Sequence, residues 1–172
     1  MKIRKGFVTN SSSSSFILHF IKDKGQSAED AIKEELNEQM QVYQDWIREQ
    51  LTIDAINNTI TREEAKKEIA EGCFWNVMHD IEEEFGIDYR WDFNTKDWSW
   101  FDKDGNDVSE KYDAICKERC EKLAEEELWW NDNERNIYAM VSYGTDINYE
   151  TSVLEYDVLP NLYCTAYKIS HH

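Results

Sequence analysis

A single proline, Pro160, and only six glycines occur among 172 residues, too few for long disordered tracts. No apolar stretch approaches the roughly 20 residues that a membrane helix requires, so a spanning segment is not expected. The opening Met1-Lys2-Ile3-Arg4-Lys5 is basic, but Gly6, Thr9, Asn10 and five serines stand where a secretory signal carries its apolar stretch. Four cysteines (Cys73, Cys116, Cys120 and Cys164) are dispersed with no framework spacing, which predicts reduced thiols and a cytoplasmic setting. Phosphate loops, dinucleotide fingerprints, nucleophile elbows and His-Glu-x-x-His zinc motifs are all missing. The sequence therefore points to no cofactor.

Acid and aromatic residues are what the chain has in excess. There are 36 Asp and Glu against 19 Lys and Arg, a net charge of −17. The charge is unevenly spread: residues 1–24 sum to +4 and the remainder to −21. So negative a body repels nucleic-acid phosphates and anionic lipid heads and attracts basic protein surfaces. Seven Trp, nine Tyr and seven Phe offer large buried areas to a chain of single-domain length, so residues 1–172 are expected to form one domain headed by a basic, Ser-rich segment, 1–15.

Periodicity predicts the elements. Phe16 to Ile21 is almost continuously apolar and reads as a central strand. Ser27 with Asp30 opens a helix whose apolar face runs through Ala28, Ile32, Leu36, Met40, Tyr43, Ile47 and Leu51. Thr61 with Glu64 opens a second one, through Ala65, Ile69, Cys73, Val77, Ile81 and Phe85, stopped by Gly86. Ile87, Tyr89, Trp91 and Phe93 alternate with polar residues and are followed by Trp98 and Trp100, a hairpin pattern. A third helix is predicted from Ser109 to about Trp130, then strands over Ile137 to Tyr143, Ser152 to Leu159 and Leu162 to Ile169. The expected fold class is α+β, with an antiparallel or mixed sheet of about five to six strands and two to three helices on one face.

The candidate functional residues fall into four groups. Met1-Lys2-Ile3-Arg4-Lys5-Gly6-Phe7-Val8-Thr9-Asn10 continues into Ser11, Ser12, Ser13, Ser14 and Ser15, then Phe16 and Ile17. This opening resembles that of many uncharacterised bacterial, archaeal and phage proteins, which begin with a Lys-Ile-Arg-like start, Phe-Val-Ser/Thr-Asn, a serine run and an aromatic. The resemblance covers residues 1–17 and implies a shared N-terminal device and a microbial or phage source, with the host cytoplasm as location if phage-encoded. It carries no catalytic residue over. Serine hydroxyls and backbone N–H groups beside Lys2, Arg4 and Lys5 suit a recognition loop or an anion. An enzyme using this loop with His19 or His79 is an alternative reading, although a hydroxyl without an adjacent base is a poor nucleophile.

Asp102, Asp104, Asn106, Glu110 and Asp113 place oxygens at the calcium-ligand positions of an EF-hand loop, a second alternative. Asp107 replaces the turn glycine of such a loop, and Asp113 replaces its final bidentate Glu. Cys73, Cys116, Cys120 and His79 do not complete a zinc set, and the cysteines read as core residues. Trp98, Trp100, Trp129 and Trp130 lie among carboxylates that include Glu125, Glu126 and Glu127. Aromatic anchors ringed by acids suit a basic groove on another protein. The sequence thus reads as a non-enzymatic, acidic interaction protein that binds a basic protein partner, in the manner of a polyanion mimic, with no direct contact to nucleic acid or membrane.

Overall fold

The computed structural model describes residues 13–128, 134–144 and 152–171. They form an α+β fold with six strands, four in one antiparallel sheet and two in a separate hairpin. Chain length suggests one domain, and the contacts group the chain into two compact units. Unit 1 comprises Met1–Ala65 and Trp130–His172, and unit 2 is the intervening Lys66–Trp129. Each encloses a hydrophobic cluster of its own.

In unit 1 the strands are β1 (Ser13–Ile21), β2 (Thr59–Ile60), β5 (Asn136–Gly144) and β6 (Thr165–His171), in the order β2-β5-β1-β6. The central position of β1 follows from its composition: strands buried on both faces read as continuous apolar runs. Phe16, Leu18 and Phe20 join Ile137, Ala139, Val141 and Tyr143 on one face. Against that face pack α1 (Ala28–Gln39), through Ala31, Ile32 and Leu36, and α2 (Asp45–Asn57), through Ile47, Leu51 and Ala55. On the other face Ser15, Ile17 and His19 are buried too.

Unit 2 holds α4 (Phe74–Phe85), the hairpin of β3 (Asp88–Asp92) and β4 (Asp97–Phe101), and α5 (Ser109–Glu127). The unit boundary falls within α3 (Arg62–Gly72). Val77, Met78 and Ile81 of α4 meet Tyr112, Cys116 and Cys120 of α5 around Trp100.

Helix ends follow the expected chemistry. Ser27 Oγ accepts the Asp30 N–H at 3.1 Å. At α3, Thr61 Oγ1 accepts the Glu64 N–H at 3.2 Å while Glu64 Oε2 accepts the Thr61 N–H at 2.8 Å, a reciprocal capping box. Gly86 ends α4 with φ 63° and donates its N–H to Glu82 O at 2.9 Å.

Three expectations about the elements need correction. Each predicted long helix is two: α1 and α2 part at Met40 to Gln44, and α3 and α4 part at Cys73. The apolar spacing runs on across both breaks because the flanking helices bury the same side, so periodicity alone does not reveal them. The predicted Ser152–Leu159 strand is instead helical, with Leu154–Val158 wound as a π-turn and Leu159–Asn161 as a 3-10 turn. Leu154, Val158 and Leu159 join the unit 1 core at a spacing that either conformation permits. Finally, β1 begins at Ser13 and takes the last three serines of the run into the sheet. Among the described residues no helix is long and apolar enough to cross a membrane.

Candidate functional site

Alternation along β3 and β4 aligns Tyr89 and Trp91 with Trp100 and Trp98 on one face of the hairpin. The register pairs Tyr89 with Trp100 and Trp91 with Trp98. Asp92 shapes the turn between the strands: its carboxylate accepts the Asn94 N–H at 2.9 Å and the Thr95 hydroxyl at 3.1 Å. Trp75, from the first turn of α4, closes on the same rings.

The result is a continuous aromatic array. Tyr89 lies 4.7 Å from Trp100 and stacks on Trp98 at 5.5 Å, between ring centroids. Trp98 then meets Trp75 edge-on at 6.0 Å and Trp91 edge-on at 6.2 Å. The array runs from core to solvent: Trp100 is fully buried, while Trp75, Trp91 and Trp98 remain 48%, 41% and 46% exposed. Burial raises the Tyr89 pKa, and the charges of Asp113 and Asp97 raise it further, so the face lies in a negative field. Unit 2 carries nine Lys and Arg against 19 Asp and Glu, a net −10.

The structure sorts the sequence-predicted anchors. Trp98 is half-exposed, but Trp100 is a core residue, its indole N–H held by Asp113 Oδ1 at 2.9 Å. Trp129 and Trp130 lie outside the described residues. Glu125, Glu126 and Glu127 end α5, and the charge of Glu127 reaches Cys73 at the start of α4. Glu125 pairs with Lys66 at 2.7 Å and Glu126 with Lys122 at 3.6 Å. Trp75 and Trp91, which the sequence reading did not single out, share the exposed array with Trp98. Trp91 carries the same alternation signal as Trp98, whereas Trp75 reaches the array only through the packing of α4.

The N-terminal motif divides as well. Lys2, Arg4, Phe7, Asn10, Ser11 and Ser12 lie outside the described residues. Ser13, Ser14, Ser15 and Phe16 pair with Gly144, Tyr143, Ser142 and Val141 of β5. Ser14 and Ser15 are buried, and the Ser15 and Ser142 hydroxyls are 2.7 Å apart. Phe16 is a core residue with the Lys168 ammonium 5.5 Å from its ring centroid.

His19 follows Ser15 by four strand positions, about 13 Å, beyond the hydrogen-bond reach of a nucleophile and base. It stacks on Tyr138 at 5.2 Å and bonds Asn136 Oδ1 at 3.1 Å. Burial lowers its pKa, an effect opposed by that bond. His79 sits exposed on α4, its Nδ1 3.0 Å from Glu82 Oε2.

The calcium candidates serve the loop itself. Asp102 Oδ1 accepts backbone N–H groups of Asp104 at 2.9 Å and Asn106 at 2.8 Å, and Asp102 Oδ2 accepts the Asn106 amide at 2.9 Å. These bonds, led by Asn106, hold the Asp102 carboxyl below its ordinary pKa. Asp113 is engaged by Trp100, and Glu110 lies in the exposed first turn of α5.

Cys73, Cys116 and Cys120 meet inside unit 2, with Cys73 Sγ 4.0 Å from Cys120 O. Hydrogen bonding among these thiols pushes the Cys120 pKa up and draws those of Cys73 and Cys116 down. Among the described residues, no group of three or more His, Cys, Asp or Glu side chains is arranged to hold a metal ion. No protein-family model, curated protein or solved structure matches the chain.

Proposed function

We propose that this protein is a non-enzymatic interaction protein that binds a basic protein partner, with the exposed aromatic face of unit 2 as its anchor and its acidic surface as the steering field. The observation that carries this reading is the set of three half-exposed tryptophans, Trp75, Trp91 and Trp98, packed together in a unit of net charge −10. Interfaces draw most of their energy from clustered aromatic anchors, and opposite charge speeds encounter. The serine-run resemblance of residues 1–17 supports a microbial or phage source and a cytoplasmic site of action, where a polyanion mimic would occupy a nucleic-acid-handling surface.

The test is kinetic. A partner captured from a microbial host is purified, and its association with the full chain is followed at rising NaCl. The association rate is expected to fall steeply with salt, because charge steering is screened beyond about 8 Å at physiological ionic strength. Reversing Glu125, Glu126 and Glu127 to Lys slows association, whereas Trp98→Ala speeds dissociation. A partner whose association ignores salt, or tight binding of the chain to duplex DNA at about 150 mM salt, overturns the reading.

A further inference from the structure

Unit 2 contains two arginines, and it holds both in one way. The Arg90 guanidinium sits 4.6 Å from the Phe101 ring centroid and 3.3 Å from Asp88 Oδ2. The Arg119 guanidinium sits 5.6 Å from the Phe85 centroid and 2.7 Å from Glu84 Oε2. In each case one ring face and one carboxylate share a guanidinium, the ring supplying its quadrupole and the acid its charge.

The exposed face offers rings of the same kind, in a negative field, without the cation. Among the described residues no Lys or Arg of the chain stacks on Trp75, Trp91 or Trp98; the cation–ring contacts fall on Phe16, Phe85, Phe101, Tyr112 and Tyr156. Asp92 and Asp97 are register partners one step beyond the Trp91–Trp98 pair, at the turn end of the hairpin, where alternation turns them to the opposite face. Neither makes an ion pair among the described residues: Asp92 organises the turn, and Asp97 Oδ1 accepts the Trp98 N–H at 2.8 Å. The negative field of Asp97 and Asp113 reaches Tyr89 within the array.

We infer that the Trp75–Trp91–Trp98 face recognises arginine, taking guanidinium groups from an arginine-rich segment of the partner. The inference rests on the proposed reading of the chain as a binder of basic proteins and names the side chain that is read. Arginine fits better than lysine because its guanidinium is planar and weakly hydrated, so it stacks on indole, whereas an ammonium retains its water. Tryptophan is the strongest aromatic partner for such a cation. Nucleobases also stack on tryptophan, but the accompanying phosphates meet the net −10 charge of unit 2 and are repelled.

The experiment titrates the full chain with nona-arginine, nona-lysine and oligothymidine at about 150 mM NaCl, read by tryptophan fluorescence and calorimetry. Nona-arginine is expected to bind about tenfold more tightly than nona-lysine. Trp98→Ala and Trp91→Ala each remove most of that preference, and Asp97→Asn, which leaves the rings in place, weakens nona-arginine binding severalfold. Trp46→Ala, at an exposed tryptophan of unit 1, changes nothing. Equal affinity for the two peptides overturns arginine recognition while leaving the basic-partner reading standing. Failure of both to bind, even at about 10 mM salt, overturns both readings. Oligothymidine binding lost in Trp98→Ala assigns the face to bases instead.

Discussion

Trp98 and Trp100 lie two residues apart on the same face of one strand, yet one is half exposed and the other sits in the core. The difference is how far α4 and α5 reach along the hairpin, and it sets the cost of losing each ring. Trp100→Ala empties a packed site and frees Asp113, so unfolding in urea should show a loss of about 3–5 kcal/mol. Trp98→Ala gives up partly solvated area and should cost about 1 kcal/mol. Equal losses would mean that both rings are structural and would remove the anchor role from Trp98.

Titration of buried groups gives a second test at this scale. Burial, with Glu35 adding a smaller effect, pushes the Cys164 thiol from its ordinary 9.0 up to about 12. Burial and the 2.6 Å bond to Asp54 Oδ2 likewise raise Tyr143 above 10.0. Both groups stay protonated in the fold while the unfolded chain ionises. The stability they protect is complete below pH 9.0 and is lost as pH climbs toward 12, by about 1.4 kcal/mol per pH unit for each group in its window. Melting temperature should therefore fall steadily above pH 9.0, and less steeply in Tyr143→Phe. His19 acts with the opposite sign: its lowered pKa makes the fold lose stability as pH drops below 6.5.

Among the elements, helix starts were the most legible because capping is local. Ser27 and Asp30, like Thr61 and Glu64, need only each other and the adjacent backbone. Thr61→Ala removes one half of the α3 box and should lower stability by about 1 kcal/mol in thermal or urea unfolding. An unchanged midpoint would show that packing alone fixes this helix start. Interior breaks were not legible: Met40, Tyr43 and Ile47 sit at helical spacing although Gln44 is the extended N-cap of a new helix. Apolar spacing reports which side is buried and is silent on whether the backbone between is continuous. The serine run shows the reverse failure, since small polar residues read as a loop until β5 and β6 pair with them on both sides.

At the scale of the whole molecule, charge dominates. A net −17 places self-repulsion on the folded chain that an expanded one relieves. Surface ion pairs such as Lys66–Glu125 and Arg119–Glu84 offset only part of it. Raising NaCl from about 10 mM to about 500 mM should therefore increase the melting temperature by several degrees as the Debye length shrinks. A fall with salt would mean that the favourable pairs outweigh the excess of acids.

The sequence by itself determined the α+β class, the central strand from Phe16, the hairpin, the capped helix starts at Ser27 and Thr61 and the acidic character, because each depends on neighbours in the chain or on composition. Only the tertiary structure decided that Trp100 is core and that Trp75 joins Trp91 and Trp98. Burial and juxtaposition are set by what packs on an element from elsewhere in the chain, and no periodicity within a segment encodes that.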